Sequence, residues 1–143
     1  MNFAFSYEGR RRALQAAIAV FGLIPVGAGL AGVLLGPRMV EHAAASLPLD
    51  SHYRYLSGLL LGIGLVYWSL IPSIERRGGA FRILTLVVFV GGLGRLGGGF
   101  ASGLPDLPMQ GALVMELVVT PLLCLWQSRV ARGGVSAVSR ARG

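Results

Sequence analysis

The stretch ALQAAIAVFGLIPVGAGLAGVLL, residues Ala13–Leu35, decides the fold: it runs 23 residues without one charged side chain. Lipid offers a backbone N–H or C=O no hydrogen-bond partner, so a chain crosses about 30 Å of hydrocarbon as a helix of roughly 20 apolar residues. Three further runs meet that requirement, from about Tyr53 to Ile74, Phe81 to Gly98, and Gly111 to Gln127. Turn-forming segments separate them: Gly36-Pro37, Gly78-Gly79, and Pro105 to Pro108. The pattern predicts an all-α protein, a transmembrane bundle of four helices. A secretory signal is the competing reading of the first run, with Arg10 to Arg12 ahead of it and Ala43 to Ala45 as a small-residue cleavage site. A signal's apolar core is shorter than this run, so the segment reads as a retained span.

Composition agrees. Of 143 residues, 54% are hydrophobic and 13% charged, and the mean hydropathy is +0.67; a water-soluble domain is far more polar. All 13 basic residues are arginines, and the net charge is +7. They form clusters between apolar runs, not a stripe on one polar face, which argues against nucleic acid as a partner. Arg10, Arg11 and Arg12 precede the first span, Arg76, Arg77 and Arg82 lie between the second and third, and Arg129, Arg132, Arg140 and Arg142 follow the fourth. The alternate loops carry Arg38 and Arg54 with Glu41, Asp50 and Asp106. By the positive-inside rule both termini face the cytoplasm, as in a multi-pass protein of the bacterial inner (plasma) membrane. The expected organisation is a cytoplasmic segment over residues 1–12, a membrane domain over 13–128, and a basic, disordered cytoplasmic tail over 129–143 that touches anionic lipid. Cys124 lies alone in an apolar run, so it reads as a small buried hydrophobe with no disulfide framework.

Helices in lipid gain packing energy where small residues let backbones approach closely. Gly22, Pro25, Gly29, Gly32 and Gly36 recur at steps of three or four and predict one packing stripe on the first span. The second span aligns Arg54, Ser57, Gly58, Gly62 and Ser69, with Gly58 and Gly62 forming a G-x-x-x-G pair; the third aligns Gly91, Gly94, Arg95 and Gly98. Gly27 to Gly32 and Gly92 to Gly97 match the G-x-G-x-x-G dinucleotide fingerprint. Both lie inside spanning helices, without the strand and the acidic residue that the fingerprint requires, so no nucleotide cofactor is expected.

An ionised side chain within a span is costly and calls for a partner or a cavity. Arg95 and Glu116 are two such groups. Arg95 stands roughly 21 Å along the helix from Phe81, and counting inward from Gln110 puts Glu116 about 9 Å below the outer boundary, which is also the depth of Arg95. Arg95 shares its stripe with glycines, while Glu116 aligns with Ala112, Thr120 and Gln127. The matched depth predicts an ion pair, which either fixes helix register or serves a ligand or proton site. Asp50-Ser51-His52-Tyr53-Arg54-Tyr55 crowds the entry to the second span. With Arg54 and Ser57 pointing down the small-residue face, Asp50, His52, Tyr53, Arg54, Ser57, Arg95 and Glu116 are the candidate residues of an outward-opening polar pocket. The plainer reading has Asp50 or Ser51 capping a helix start, Tyr53 and Tyr55 in the aromatic belt, and Arg54 snorkelling. His42 and His52 lack the further ligands a metal or haem needs, and no nucleophile lies at the depth of His52 and Asp50. No metal, cofactor or catalytic set is therefore expected.

These residues resemble a bacterial membrane family, domain of unknown function 4345. The resemblance rests on Asp50, His52, Tyr53, Arg54, Tyr55, Leu56, Ser57 and Gly58, on Gly91, Gly92, Arg95 and Leu96 with Gly103 and Pro105, and on Glu116. It implies a small four-helix membrane protein, broadly similar to the DoxX-like group, some members of which are linked to quinone-coupled redox work, and it brings no assigned activity. Two functions follow as expectations, ahead of a third, a membrane enzyme or redox subunit, which ranks last. One is a non-catalytic accessory or scaffolding component that packs on a membrane-protein partner or a second copy of itself. The other is a binding or transport component that holds a small molecule, a lipid headgroup or a quinone in the polar pocket.

Overall fold

A computed structural model describes residues 7–39, 46–103 and 106–141 of the chain. All regular structure among them is helical: α1 (Tyr7–Leu35), a 3-10 turn (Gly36–Met39), α2 (Leu47–Leu70), a 3-10 turn (Ile71–Ser73), α3 (Gly78–Ser102), α4 (Leu107–Val114), a π-helical turn (Met115–Val119) and α5 (Thr120–Ala141). The π turn joins α4 to α5 without a break, so four stretches are long and apolar enough to cross a membrane: Tyr7–Arg38, Leu47–Ser73, Gly78–Phe100 and Leu107–Gly134. The protein is thus an integral membrane protein by the length and character of its helices. Large apolar side chains stand exposed along all four, among them Leu34, Leu65, Ile83 and Leu122. Such a surface is stable against lipid, not water.

Each helix begins ahead of the apolar stretch that predicts it, while α2 ends at Leu70, short of Ile74. α2 begins at Leu47, six residues before Tyr53, because Pro48 in its first turn needs no N–H partner and sets the helical φ in advance. The helix start is therefore not capped by Asp50 or Ser51; Ser46 holds the N-cap position and makes no side-chain cap bond. At the other end of the chain α5 stays helical to Ala141 where composition predicts a disordered tail. Tyr7 lies against that segment: a Cβ placed on Gly134 would come within 2.7 Å of its hydroxyl oxygen. His42 and Glu41, with Ala43 to Ala45, lie outside the described residues, as do Pro105 and Arg142.

The chain divides into two compact units, Gln15–Pro72 and Met1–Leu14 with Ser73–Gly143. In the first, the glycine stripe predicted on α1 is the packing face. A side chain on Gly22 would strike Trp68, one on Gly29 the backbone of Leu61, one on Gly32 the Ser57 hydroxyl, and one on Gly36 the Asp50 and Arg54 side chains. Trp68 Nε1 donates to the Ala19 carbonyl at 3.2 Å, and Gln15 Nε2 donates to the Ile71 carbonyl at 2.8 Å. The partner stripe on α2 differs from the predicted one. It is Arg54, Ser57, Leu61, Gly64 and Trp68; Gly62 has nothing within 4 Å of its missing Cβ and Gly58 only Val33 at 3.9 Å. Gly64 is required because Pro25 stiffens α1 opposite it, and a Cβ there would meet Val26 at 2.7 Å and the Pro25 ring at 3.3 Å.

In the second unit, α3 packs on α4, the π turn and α5. Its core, Leu14, Ile74, Phe81, Gln127 and Val130, gathers at the arginine-rich end. Gln127 is fully buried and donates Nε2 to the Ile74 carbonyl at 2.8 Å. Gly91, Gly94 and Gly98, the predicted stripe of the third span, have nothing within 4 Å. The glycine that admits a neighbour is Gly92, where a Cβ would lie 2.9 Å from Glu116 Cβ and 2.8 Å from Leu117 Cδ2.

Candidate functional site

The candidate residues fall in two places, one in each unit. In the unit of Gln15–Pro72, α1 ends at Gly36, which adopts φ +64 and turns the chain into the 3-10 segment. A left-handed residue at that position is the common way to end a helix, and glycine adopts it without a Cβ clash. The last carbonyls of α1 then lack helical donors, and Arg54 supplies them. Its Nη1 donates to the carbonyls of Val33 at 2.5 Å and Leu34 at 3.2 Å, while Nε donates to Asp50 Oδ2 at 2.8 Å. One guanidinium therefore caps one helix and pairs with the first turn of the next. Ser57 donates to the Tyr53 carbonyl at 2.7 Å, and both side chains border Gly32. His52 and Tyr55 are exposed and take no part in this arrangement.

The consequence is testable. Arg54→Ala removes the donors of two carbonyls and the partner of Asp50, so it should lower the melting temperature and speed hydrogen exchange in the last turn of α1. Arg54→Lys should recover only part of this, because an ammonium cannot reproduce the planar fork. Unchanged exchange in Arg54→Ala would remove the capping role.

In the other unit, Arg95 and Glu116 form the ion pair that their depth predicts. Nε donates to Oε2 and Nη2 to Oε1, both at 3.1 Å, the two-pronged geometry that suits a guanidinium and a carboxylate. Nη1 adds a contact to the Met109 sulfur at 2.7 Å. The Glu116 side chain is 17% exposed and that of Arg95 34%. Gly92, one turn before Arg95, leaves the room that the Glu116 Cβ occupies beside α3.

Glu116 sits on the π turn, and the sequence says why that turn exists. Pro121 has no N–H for the carbonyl four residues back, Leu117, or five back, Glu116. The register slips by one residue just before it: the Thr120 N–H bonds the Met115 carbonyl five residues away, and the Thr120 hydroxyl donates to the same oxygen at 2.8 Å. Turns of this kind recur at functional sites. Thr120-Pro121 inside an apolar run was the available signal for it, and Gly92, three residues from Arg95, was the signal for the close approach.

Asp50, His52, Tyr53, Arg54 and Ser57 thus belong to one unit, and Arg95 and Glu116 to the other. Among the described residues no group of three or more His, Cys, Asp or Glu side chains could hold a metal.

The profile of one protein family, a domain of unknown function, matches residues 13–127. The chain belongs to the DUF4345 family. All seven candidate residues, with Gly92 and Pro121, fall inside the DUF4345 match. No curated protein and no solved structure matches the chain. Membership in DUF4345 therefore places these side chains in a family without assigning them an activity.

Proposed function

We propose that this protein is a non-catalytic accessory or scaffolding component of the bacterial inner membrane, with both termini in the cytoplasm. One observation carries the reading: the guanidiniums of Arg54 and Arg95 are both engaged by atoms of the chain itself, three bonds from Arg54 and a two-pronged pair plus a sulfur contact from Arg95. Groups spent in this way hold helices in register. Three arginine clusters on one set of loops support the orientation. A photoreactive side chain in place of Gly62 or Gly94, positions with nothing within 4 Å, is expected to give one discrete crosslinked product larger than the monomer in intact membranes. Labelling of lipid alone, or within one chain alone, sinks the accessory role.

A second reading, binding of a small molecule, lipid or quinone, is favoured by the π turn beneath Glu116 and by the partial exposure of Arg95. Under it, a ligand that raises the melting temperature of the parent protein loses that effect in Arg95→Met/Glu116→Leu while the helical spectrum is unchanged.

A further inference from the structure

Gln127 is fully buried, and its amide is only half used. Nε2 donates to the Ile74 carbonyl at 2.8 Å, whereas Oε1 accepts a hydrogen bond from no described residue. A buried acceptor without a donor is strongly unfavourable, so such atoms are nearly always met by a partner, an internal water included. Turning the amide over does not help, because Oε1 would then face the Ile74 carbonyl with no proton between two acceptors.

The start of α3 supplies the complement in the same unit. Its first N–H to bond a carbonyl in helical fashion is that of Phe81, to Arg77 at 3.0 Å, so those of Gly78, Gly79 and Ala80 have no partner in the helix. The N-cap residue, Arg77, adds no side-chain cap bond. Gly79 and Ala80 are exposed, but Gly78 is partly withdrawn from the surface. It lies against the orphaned oxygen: a Cβ built on Gly78 would be 3.3 Å from Oε1 and 3.2 Å from Nε2. Together the two features select a ligand. An anion suits the positive end of a helix but would meet the lone pairs of Oε1. A cation suits Oε1 but would meet the N–H groups, with Arg76 and Arg77 adjoining in the chain. A neutral O–H group gives its proton to Oε1 and accepts one from an N–H, and complete burial of Gln127 leaves water as the group small enough.

We propose that Gln127 Oε1 and the Gly78 N–H bind one internal water, which ties the start of α3 to α5. The site is independent of the accessory role and stands or falls separately from it.

Nuclear magnetic resonance of the isotope-labelled full-length protein in micelles tests it, through dipolar transfer from water to amide protons. The Gln127 side-chain amide and the Gly78 N–H should show bound-water cross-peaks at least about fivefold stronger than the N–H of Ile18, a helix-interior residue only 2% exposed. No transfer to the Gln127 amide would mean that Oε1 is dry, and overturns the site. Gly78→Ala places a methyl carbon beside Oε1 and should cut the Gln127 cross-peak about fivefold with an unchanged helical spectrum. An undiminished peak would put the water away from α3 and overturn the bridge. Gln127→Met keeps the volume and removes the acceptor, so the Gly78 cross-peak should vanish; its persistence would mean surface hydration and overturns the site as well. Titration with inorganic phosphate and with magnesium chloride separates water from an ion: a saturable shift at Gly78 that abolishes the water cross-peak makes the ligand an ion and overturns the assignment. The measurement on the parent protein needs no variant, so it decides the matter even where a substitution prevents folding.

Discussion

Glu116→Leu is expected to lower the unfolding free energy by about 3 kcal/mol, and Arg95→Met/Glu116→Leu to return to within about 1 kcal/mol of the parent. The single substitution leaves a guanidinium at membrane depth with only the Met109 sulfur, a weak acceptor, for company. The double substitution removes both charges and fills the space with apolar atoms of similar volume. Arg95→Met alone should also destabilise, since it leaves the Glu116 carboxylate without its two guanidinium donors. Denaturation in mixed micelles followed by helical circular dichroism gives the cycle. A neutral Glu116→Leu would show that Arg95 reaches water by itself and that the pair contributes nothing to the fold.

The second large effect belongs to Gly29. A Cβ there would lie 2.5 Å from the backbone nitrogen of Leu61 and 2.8 Å from its Cα. Backbone cannot swing aside as a side chain can, so Gly29→Ala must push α1 and α2 apart and should cost about 2–3 kcal/mol. Gly62→Ala is the control: the same change in α2, where a Cβ meets nothing within 4 Å, should be neutral or stabilising by up to about 1 kcal/mol through helix propensity. Equal effects at the two positions would mean that the contact in the unit of Gln15–Pro72 is not the one described.

Four membrane-length helices were legible because the requirement is severe: a run such as Ala13–Leu35 has no alternative that satisfies its backbone in lipid. The α1 stripe and the Arg95 to Glu116 pair were legible for a related reason, since glycines at steps of three or four and two charges at matched depth have few other uses. What failed were choices between neighbouring faces. Gly58 and Gly62 form the better-known motif, yet the face used holds Leu61 and Gly64, where Pro25 on the opposite helix dictates the small residue. On α3 the choice fell on Gly91, Gly94 and Gly98 when Gly92 carried the contact, because glycines crowd that helix on every side and spacing alone cannot rank them. Helix ends were missed where Pro48 and Tyr7 extend structure beyond the apolar run.

The Met115–Val119 turn leaves the last crossing with one residue more than an unbroken coil would need between its ends. That surplus makes it a natural place for a lineage to lose a codon. Excision of one residue there would close the coil into a regular helix and leave the segments on either side facing as before, because the bulge itself holds the surplus, so a descendant without Pro121 could keep its crossing and its packing while only the placement of the Glu116 acid changed.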